Sequence, residues 1–202
     1  MIIGPIYKIA RRLGAPIFEK TQTQKYAIRQ ERRGKKIGFS KPKSEFAVQM
    51  NEKQKARFTY GLSERQFSNY VKDSLLKKAT NKSQAILECL EMRFDNVIYR
   101  IGLAPTRLGS RQMVSHGHIL VNGKRVNVPS VRLFQGDKIE IRAGSQGKSL
   151  FANLDDRLRN AAVPSWIKFD AVKRGAEIVD KPQYVQIDNM FDLNAVIEFY
   201  SR

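Results

Sequence analysis

The chain has few of the residues that build disulfides, metal sites and catalytic centres. Its 202 residues include one cysteine, Cys89, and two histidines, His116 and His118. One cysteine excludes an internal disulfide and a cysteine-rich zinc site. The histidines lie in a basic loop with no carboxylate beside them in sequence, so they indicate contact with phosphate or a helix cap rather than a triad. We therefore expect no enzyme activity, no metal and no cofactor.

Long apolar runs and nucleotide-binding glycine motifs are also absent from the sequence. No run approaches the about 18 apolar residues that suggest a membrane-spanning helix. Neither the P-loop pattern nor the dinucleotide-binding fingerprint occurs. We expect a protein without a membrane segment or a small-molecule substrate, in the cytoplasm or in an organelle.

Acidic residues are scarce, and the basic excess is unevenly distributed. The chain has 37 Lys and Arg against 19 Asp and Glu, a net charge of +18. Residues 1–60 carry +11 and residues 93–125 carry +5, whereas residues 61–92 and 126–202 carry only +1 each. Because the charge is concentrated in two stretches, it predicts a polyanionic partner rather than a generally basic surface.

Residues 93–125 have the pattern of a small RNA-binding module. Its first helix has an apolar stripe at spacings of three and four, formed by Phe94, Val97, Ile98 and Ile101. This stripe predicts that Arg93 and Arg100 face outward. Gly102 ends the helix.

A second helix and a hairpin complete the module. Thr106 is a suitable cap for that helix, on which Arg107 and Arg111 lie one turn apart and form a positive ridge. Asn122-Gly123 between alternating apolar residues is a strong signal for a tight hairpin. The fold class is therefore α+β, with two helices packed on a short antiparallel sheet.

The rest of the chain has a different pattern on each side of the module. Residues 1–44 show no sustained period and are interpreted as a basic extended arm, either solvated or ordered on a partner. Residues 45–92 have helical periodicity, with Gly61 as a stop and a capping box that begins at Ser63. Trp166 is interpreted as a packing anchor, and the tail as a terminal helix or strand.

Three segments in order resemble one family. They are the module, residues 50–70 (MNEKQKARFTYGLSERQFSNY) and residues 196–202 (VIEFYSR). Together they resemble ribosomal protein S-four of the small subunit, in its bacterial or organellar form, over essentially the whole chain. The module alone is less specific, because it also occurs in pseudouridine synthases and some tRNA synthetases.

The resemblance implies a structural protein that binds small-subunit ribosomal RNA first, at a helix junction in the 5′ domain, and nucleates assembly. It implies a helical domain of residues 45–92 completed by residues 160–202, with the module inserted as residues 93–159. The C-terminal region, within residues 166–202, is implied to meet the neighbouring protein S-five and to affect decoding accuracy. Some members hold zinc through four arm cysteines, which this chain lacks.

Family members also line the entrance of the messenger RNA channel, which the resemblance assigns here to Lys41 and Lys43. The complete set of candidate RNA-binding residues is Arg11, Arg12, Arg29, Arg32, Arg33, Lys35, Lys36, Lys41, Lys43, Lys53, Lys55, Arg57, Arg65, Asn69, Arg93, Arg100, Arg107, Arg111, Gln112, His116, Lys124 and Arg125. Any one of the helix donors among them could instead be simply solvated.

Two alternative functions remain open. One is an RNA-modifying enzyme, or an accessory subunit of one, that carries the same module. Asp155, Asp156 and Asp170 are available, but no recognisable catalytic motif surrounds them. The other alternative is a translational repressor that binds messenger RNA.

Overall fold

The chain folds into two compact units, which are described separately. One unit consists of residues 1–86 with 184–202, and the other of residues 87–183. The computed structural model describes residues 3–32, 44–76, 80–152, 154–159, 162–170, 174–185 and 190–201, without the side chains of residues 155, 156 and 159. Among these residues, no helix has the length and apolarity needed to cross a membrane.

The first unit is helical. Its helices are α1 (Ile6–Leu13), α2 (Gln24–Arg32), α3 (Glu45–Thr59), α4 (Glu64–Leu76), the beginning of α5 (Lys82–Glu91) and α9 (Leu193–Tyr200). The predicted stop after α3 is confirmed, since Gly61 has a φ of 61°. The predicted cap of α4 is also confirmed, because the Ser63 hydroxyl accepts a hydrogen bond from the Gln66 N–H at 3.3 Å.

Residues 3–32 differ from the extended arm that the sequence predicted for residues 1–44. They contain α1 and α2, and Leu13 and Ile17 pack with Phe58 of α3 in a small apolar cluster. The helical pattern of this segment is short, because Pro5 and Gly14 limit α1 to eight residues. A helix of that length is not stable alone and depends on tertiary packing. Candidate residues Arg33, Lys35, Lys36, Lys41 and Lys43 lie outside the described residues.

The C-terminal helix α9 packs against α3. The Gln49 side-chain amide donates a hydrogen bond to the Glu198 carboxylate at 2.9 Å. The rings of Phe46 and Phe199 lie 5.5 Å apart between centroids. The expectation of a terminal helix or strand is therefore confirmed as a helix.

The second unit combines helices with one antiparallel sheet, which confirms the predicted α+β class. The α-helices and strands that lie entirely within this unit are α6 (Phe94–Ile101), α7 (Arg107–Ser115), β1 (Ile119–Val121), β2 (Lys124–Arg125), β3 (Lys138–Ile141), α8 (Leu154–Arg159), β4 (Ile167–Asp170) and β5 (Gly175–Ile178). The strand order is β2-β1-β3-β5-β4. Apolar residues of α6 and α7 share one core with Ile119, Ile139 and Ile178 of the sheet.

The limits of the second unit differ from the predicted module boundaries at 93 and 159. Strand β5 pairs with β3, with Ala176 opposite Ile139, and β4 pairs with β5. Trp166 is buried in the same core. The sheet therefore includes β4 and β5, which the sequence prediction assigned to the helical domain. Strands β4 and β5 have only four residues each and include charged side chains. Their alternation is therefore too short to predict that β5 pairs with β3.

Candidate nucleic-acid interface

Helices α6 and α7 form the frame that holds the basic residues of the second unit. Phe94, Val97 and Ile101 are fully buried, which fixes the rotation of α6 about its axis. Gly102, with a φ of 89°, ends α6 as predicted. The Thr106 hydroxyl then accepts a hydrogen bond from the Gly109 N–H at 3.0 Å and starts α7. These signals place Arg107 and Arg111 in the first and second turns of α7.

Arg93 is buried rather than outward-facing, which corrects the prediction from the apolar stripe. Only 3% of its side chain is exposed, and its Nη2 lies 2.8 Å from the Asp95 carboxylate. A loop covers this position, since the N–H of Phe94 donates to the carbonyl of Val131 at 2.9 Å. Arg93 is therefore the internal partner of a buried carboxylate.

The same carboxylate holds Arg111 of the ridge. Arg111 donates from Nε to Asp95 Oδ2 at 2.9 Å, and its Nη2 lies 2.8 Å from that oxygen. The Asp95 side chain is 3% exposed, whereas that of Arg111 is 22% exposed. The acid is buried and the guanidinium reaches the surface. Asp95 thus limits the orientations open to Arg111.

A second buried acid connects Arg100 with Arg107. Glu91 accepts hydrogen bonds from Arg100 at 2.7 and 2.8 Å and from the Asn96 amide at 2.8 Å. The Asn96 side-chain oxygen in turn accepts from Arg107 Nε at 2.8 Å. The Arg107 guanidinium also lies over the Tyr99 ring, 4.3 Å from its centroid.

The outcome is a pair of basic side chains, Arg107 and Arg111, whose positions are set before any ligand arrives; we call this pair the arginine ridge. A guanidinium is planar and suits bidentate binding of phosphate. Side chains that are already ordered lose less entropy on binding. Sequence reasoning missed the buried partners Glu91, Asp95 and Asn96. The sequence signal for Asp95 and Asn96 was their place beside the apolar positions of α6, whereas Glu91 is the last residue of α5.

The predicted hairpin is confirmed and carries further exposed donors. Asn122 and Gly123 have φ values of 50° and 74°, as a two-residue turn of this kind requires. The remaining candidates of this unit are all exposed at the surface: Gln112, His116, Lys124 and Arg125. Among the residues that the structure describes, no group of three or more His, Cys, Asp or Glu side chains is placed to hold a metal ion.

In the first unit, α1 and α2 carry exposed basic residues next to stacked aromatic rings. The exposed residues are Arg11, Arg12, Arg29 and Arg32. The rings of Tyr7 and Tyr26 lie 5.6 Å apart and 24° from parallel. They line a groove with Arg11 and Arg29. Guanidinium groups beside aromatic rings suit phosphate contact together with base stacking.

The basic residues of α3 have internal partners, in contrast to the outward donors that the sequence suggested. Lys53 is 8% exposed and lies 2.6 Å from Glu64, and Lys55 lies 2.6 Å from Glu52. Arg57 donates to the Gln54 amide oxygen at 2.8 and 3.0 Å. Lys53 therefore stabilises the helical packing. On α4, by contrast, Arg65 and Asn69 are exposed.

Glu64 is the acceptor at the centre of this packing. Burial opposes its ionisation, but hydrogen bonds from Lys53 and Tyr200 outweigh that effect, with help from Arg57, and the pKa of Glu64 lies below its ordinary value. Burial, reinforced by the Glu64 charge, raises the pKa of Tyr200. The pair is therefore an ionised carboxylate with a phenol that donates to it.

Comparison with known proteins matches both parts of the chain. Residues 2–91 match the family described as ribosomal protein S4/S9 N-terminal domain, and residues 92–139 match the S4 domain. The second match contains α6, α7, the hairpin and the ridge.

Curated relatives match nearly the full length. A protein of Chlorobium phaeovibrioides is 38% identical over 203 residues, covering 98% of both chains. Proteins of Persephonella marina and Aquifex aeolicus are also 38% identical, over 202 and 211 residues and at least 98% of each chain. All three are named small ribosomal subunit protein uS4. The chain belongs to the uS4 family of ribosomal proteins.

Proposed function

We propose that this protein is a structural constituent of the small ribosomal subunit that binds its ribosomal RNA. One observation carries the proposal: the arginine ridge on α7 is held in place by the buried acceptors Asp95 and Asn96. The net charge of +18 and the membership of the uS4 family support it. The family's S4 domain match covers the ridge itself.

The mechanism is electrostatic and geometric. Arg107 and Arg111 are separated by one helical turn, about 6 Å along the axis, so they can contact neighbouring phosphates. Exposed arginines of α1 and α2 add contacts from the first unit. Each contact releases counterions from the RNA, so the affinity falls with salt. Binding favours the folded RNA, and no covalent chemistry is involved.

Three finer roles form part of the proposal. Early binding to the RNA 5′ domain would nucleate assembly, supported by the concentrated charge of residues 1–60. Lys41 and Lys43 would line the entrance for messenger RNA. The C-terminal region would contact protein S-five and influence decoding accuracy, supported by the exposed apolar side chains of Val185 and Met190.

The test measures the affinity for a transcript of the small-subunit RNA 5′ domain at several salt concentrations. We expect the double variant Arg107→Gln/Arg111→Gln to bind more weakly and to lose about 1.4 to 1.8 from the slope of log affinity against log salt, at 0.7 to 0.9 per phosphate contact.

The matched control removes the same charge elsewhere in the second unit. Lys168 is exposed and Lys181 is 62% exposed, so Lys168→Gln/Lys181→Gln changes the net charge equally without touching the ridge. We expect a much smaller change in slope for this control. Affinity that is independent of salt, or an equal loss in the control, would contradict the proposal.

A further inference from the structure

A second group of basic side chains lies where β1 begins and β3 ends. His118 precedes β1 and Arg142 follows β3, and the Arg142 N–H donates to the His118 carbonyl at 2.9 Å. The rings of His116 and His118 are 5.9 Å apart and 18° from parallel. The sheet register therefore places Arg142 next to His118, although the two residues are 24 positions apart in sequence.

The ring of His118 is fixed in orientation from two sides. Its Nδ1 lies 3.0 Å from the hydroxyl of Ser145, which is 1% exposed. The Phe151 ring stands perpendicular to it, 6.4 Å away between centroids. The 3-10 helix Ala143–Ser145 supplies this serine, and the turn that follows carries Lys148. With Nδ1 engaged, Nε2 is the nitrogen available to a ligand.

Arg125 of β2 completes the group. Its Nη2 donates to the His116 carbonyl at 3.3 Å. Gly117 between the histidines has a φ of 68°, and a β-carbon there would overlap the Arg125 guanidinium. The glycine therefore lets the chain turn and leaves room for the arginine beside the imidazoles.

The charges in this group repel one another. Burial lowers the pKa of His118, and Lys148, His116, Arg142 and Arg125 lower it further. Each of these four neighbours is basic. Within the described part of the chain, no carboxylate forms an ion pair with Arg125, Arg142 or Lys148, in contrast to Arg111, which has Asp95.

We propose that a second phosphate site is formed by five residues, which we call the basic cluster: His116, His118, Arg125, Arg142 and Lys148. The site binds an RNA backbone phosphodiester, and His118 takes up a proton from solvent as the phosphate binds. This inference rests on the proposed RNA-binding function and adds His118, Arg142 and Lys148 to its contacts. A phosphate supplies the negative charge that the basic cluster lacks. It also favours the charged imidazolium, which the free protein disfavours.

The proton uptake makes the affinity depend on pH. In the free protein the pKa of His118 lies below its ordinary value of 6.5. Bound phosphate raises it, so the complex holds more protons than the free protein between the two pKa values. Affinity therefore rises as the pH falls through that window. One proton allows at most tenfold per pH unit, and we expect about three- to tenfold between pH 8 and pH 6.

Histidine NMR tests the inference directly, because the full chain has only two histidines. The variant His118→Gln assigns the two ring signals. Titration of the wild-type ring signals with and without the 5′-domain transcript should show the pKa of His118 below 6.5 when free and higher when bound. An unchanged pKa in the complex would overturn the site.

Binding assays give an independent readout. The exposed-residue variants Arg142→Gln and Lys148→Gln should each weaken transcript binding several-fold at pH 6, whereas Lys168→Gln on β4 should not. The pH dependence should disappear in His118→Gln while the salt dependence remains. If pH dependence survives in His118→Gln, or if inorganic phosphate shifts the His118 signal and the transcript does not, the assignment is wrong.

The outcomes separate this site from the function on which it rests. Salt-dependent binding of the transcript that does not vary with pH would overturn the basic cluster and leave the proposed function intact. A transcript that does not bind at all would overturn both.

Discussion

The buried carboxylate of Asp95 offers the sharpest prediction about the ridge. We consider Asp95→Asn, which keeps the shape of the side chain and removes its charge. Asp95 accepts hydrogen bonds from Arg93 at 2.8 and 3.0 Å and from Arg111 at 2.9 Å. The asparagine amide would point a donor at one of these guanidinium groups. Arg93 would then lose the buried negative charge that now lies 2.8 Å from its Nη2.

The burial of both partners sets the size of the effect. The side chains of Arg93 and Asp95 are each 3% exposed, so water cannot replace the lost interaction. Removal of one partner from a buried ion pair costs about 3 to 5 kcal/mol of unfolding free energy. For a chain of this size, each kcal/mol lowers the melting temperature by about 2 to 4 °C. We expect a drop of roughly 6 to 12 °C at the lower end of that cost.

The assay is thermal and urea unfolding followed by circular dichroism, with transcript affinity measured on the folded variant. The control Glu140→Gln removes an exposed carboxylate from β3 of the same unit. It should change the unfolding free energy by no more than about 0.5 kcal/mol. The affinity of Asp95→Asn should also fall, because Arg111 loses its anchor. An Asp95→Asn protein as stable as the control would show that the buried ion pair does not stabilise this unit.

Three further changes have defined outcomes. Thr106→Ala removes the α7 cap and should lower the unfolding free energy by about 1 kcal/mol in urea titrations; an unchanged value would mean that the cap contributes nothing. Gly117→Ala and Gly136→Ala should each lower the unfolding free energy by about 1 to 2 kcal/mol in urea titrations, because both positions have a positive φ and the contact at Gly117 is with the movable guanidinium of Arg125; a much larger loss for Gly117→Ala would show that Arg125 cannot move aside. The pKa of Glu64 is lowered on folding, so its contribution is fully present above its ordinary value of 4.5 and is lost as the pH falls through the lower folded value. The stability difference between the wild type and Glu64→Gln should therefore shrink below pH 4.5, as followed by unfolding at several pH values; a constant difference would contradict it.

Local signals in the sequence were enough to predict α6, α7 and the hairpin of the second unit. Gly102, Thr106 and Asn122-Gly123 act through their own backbone geometry, and each occupies the position expected from the sequence. The two module helices and the hairpin needed no knowledge of distant residues.

Contacts between distant residues could not be predicted in the same way. Asp95 and Arg111 are 16 residues apart, and β5 pairs with β3 across more than 30 residues. The apolar stripe placed Arg93 outward because it described one helix alone, whereas the loop that covers Arg93 comes from residues 129–133. The orientation of a charged residue depends on such neighbours, and a periodic pattern does not contain them.

The same dependence on distant contacts explains why α1 of the first unit was not predicted. Helix α1 has only eight residues, and its stability comes from packing with Phe58, far along the chain. The basic cluster likewise depends on sheet register, which brings Arg142 to His118. In both cases the sequence contains the residues, but it does not show that they lie close together in the fold.

Sedimentation of a tagged copy of this protein shows whether it is part of the small ribosomal subunit. Cell extract from the organism that encodes it would be separated on a sucrose gradient, and the tag followed across the fractions. We expect the protein to sediment with the small ribosomal subunit at low salt and to be released at high salt. A protein that remains at the top of the gradient, or that sediments only with free messenger RNA complexes, would contradict it.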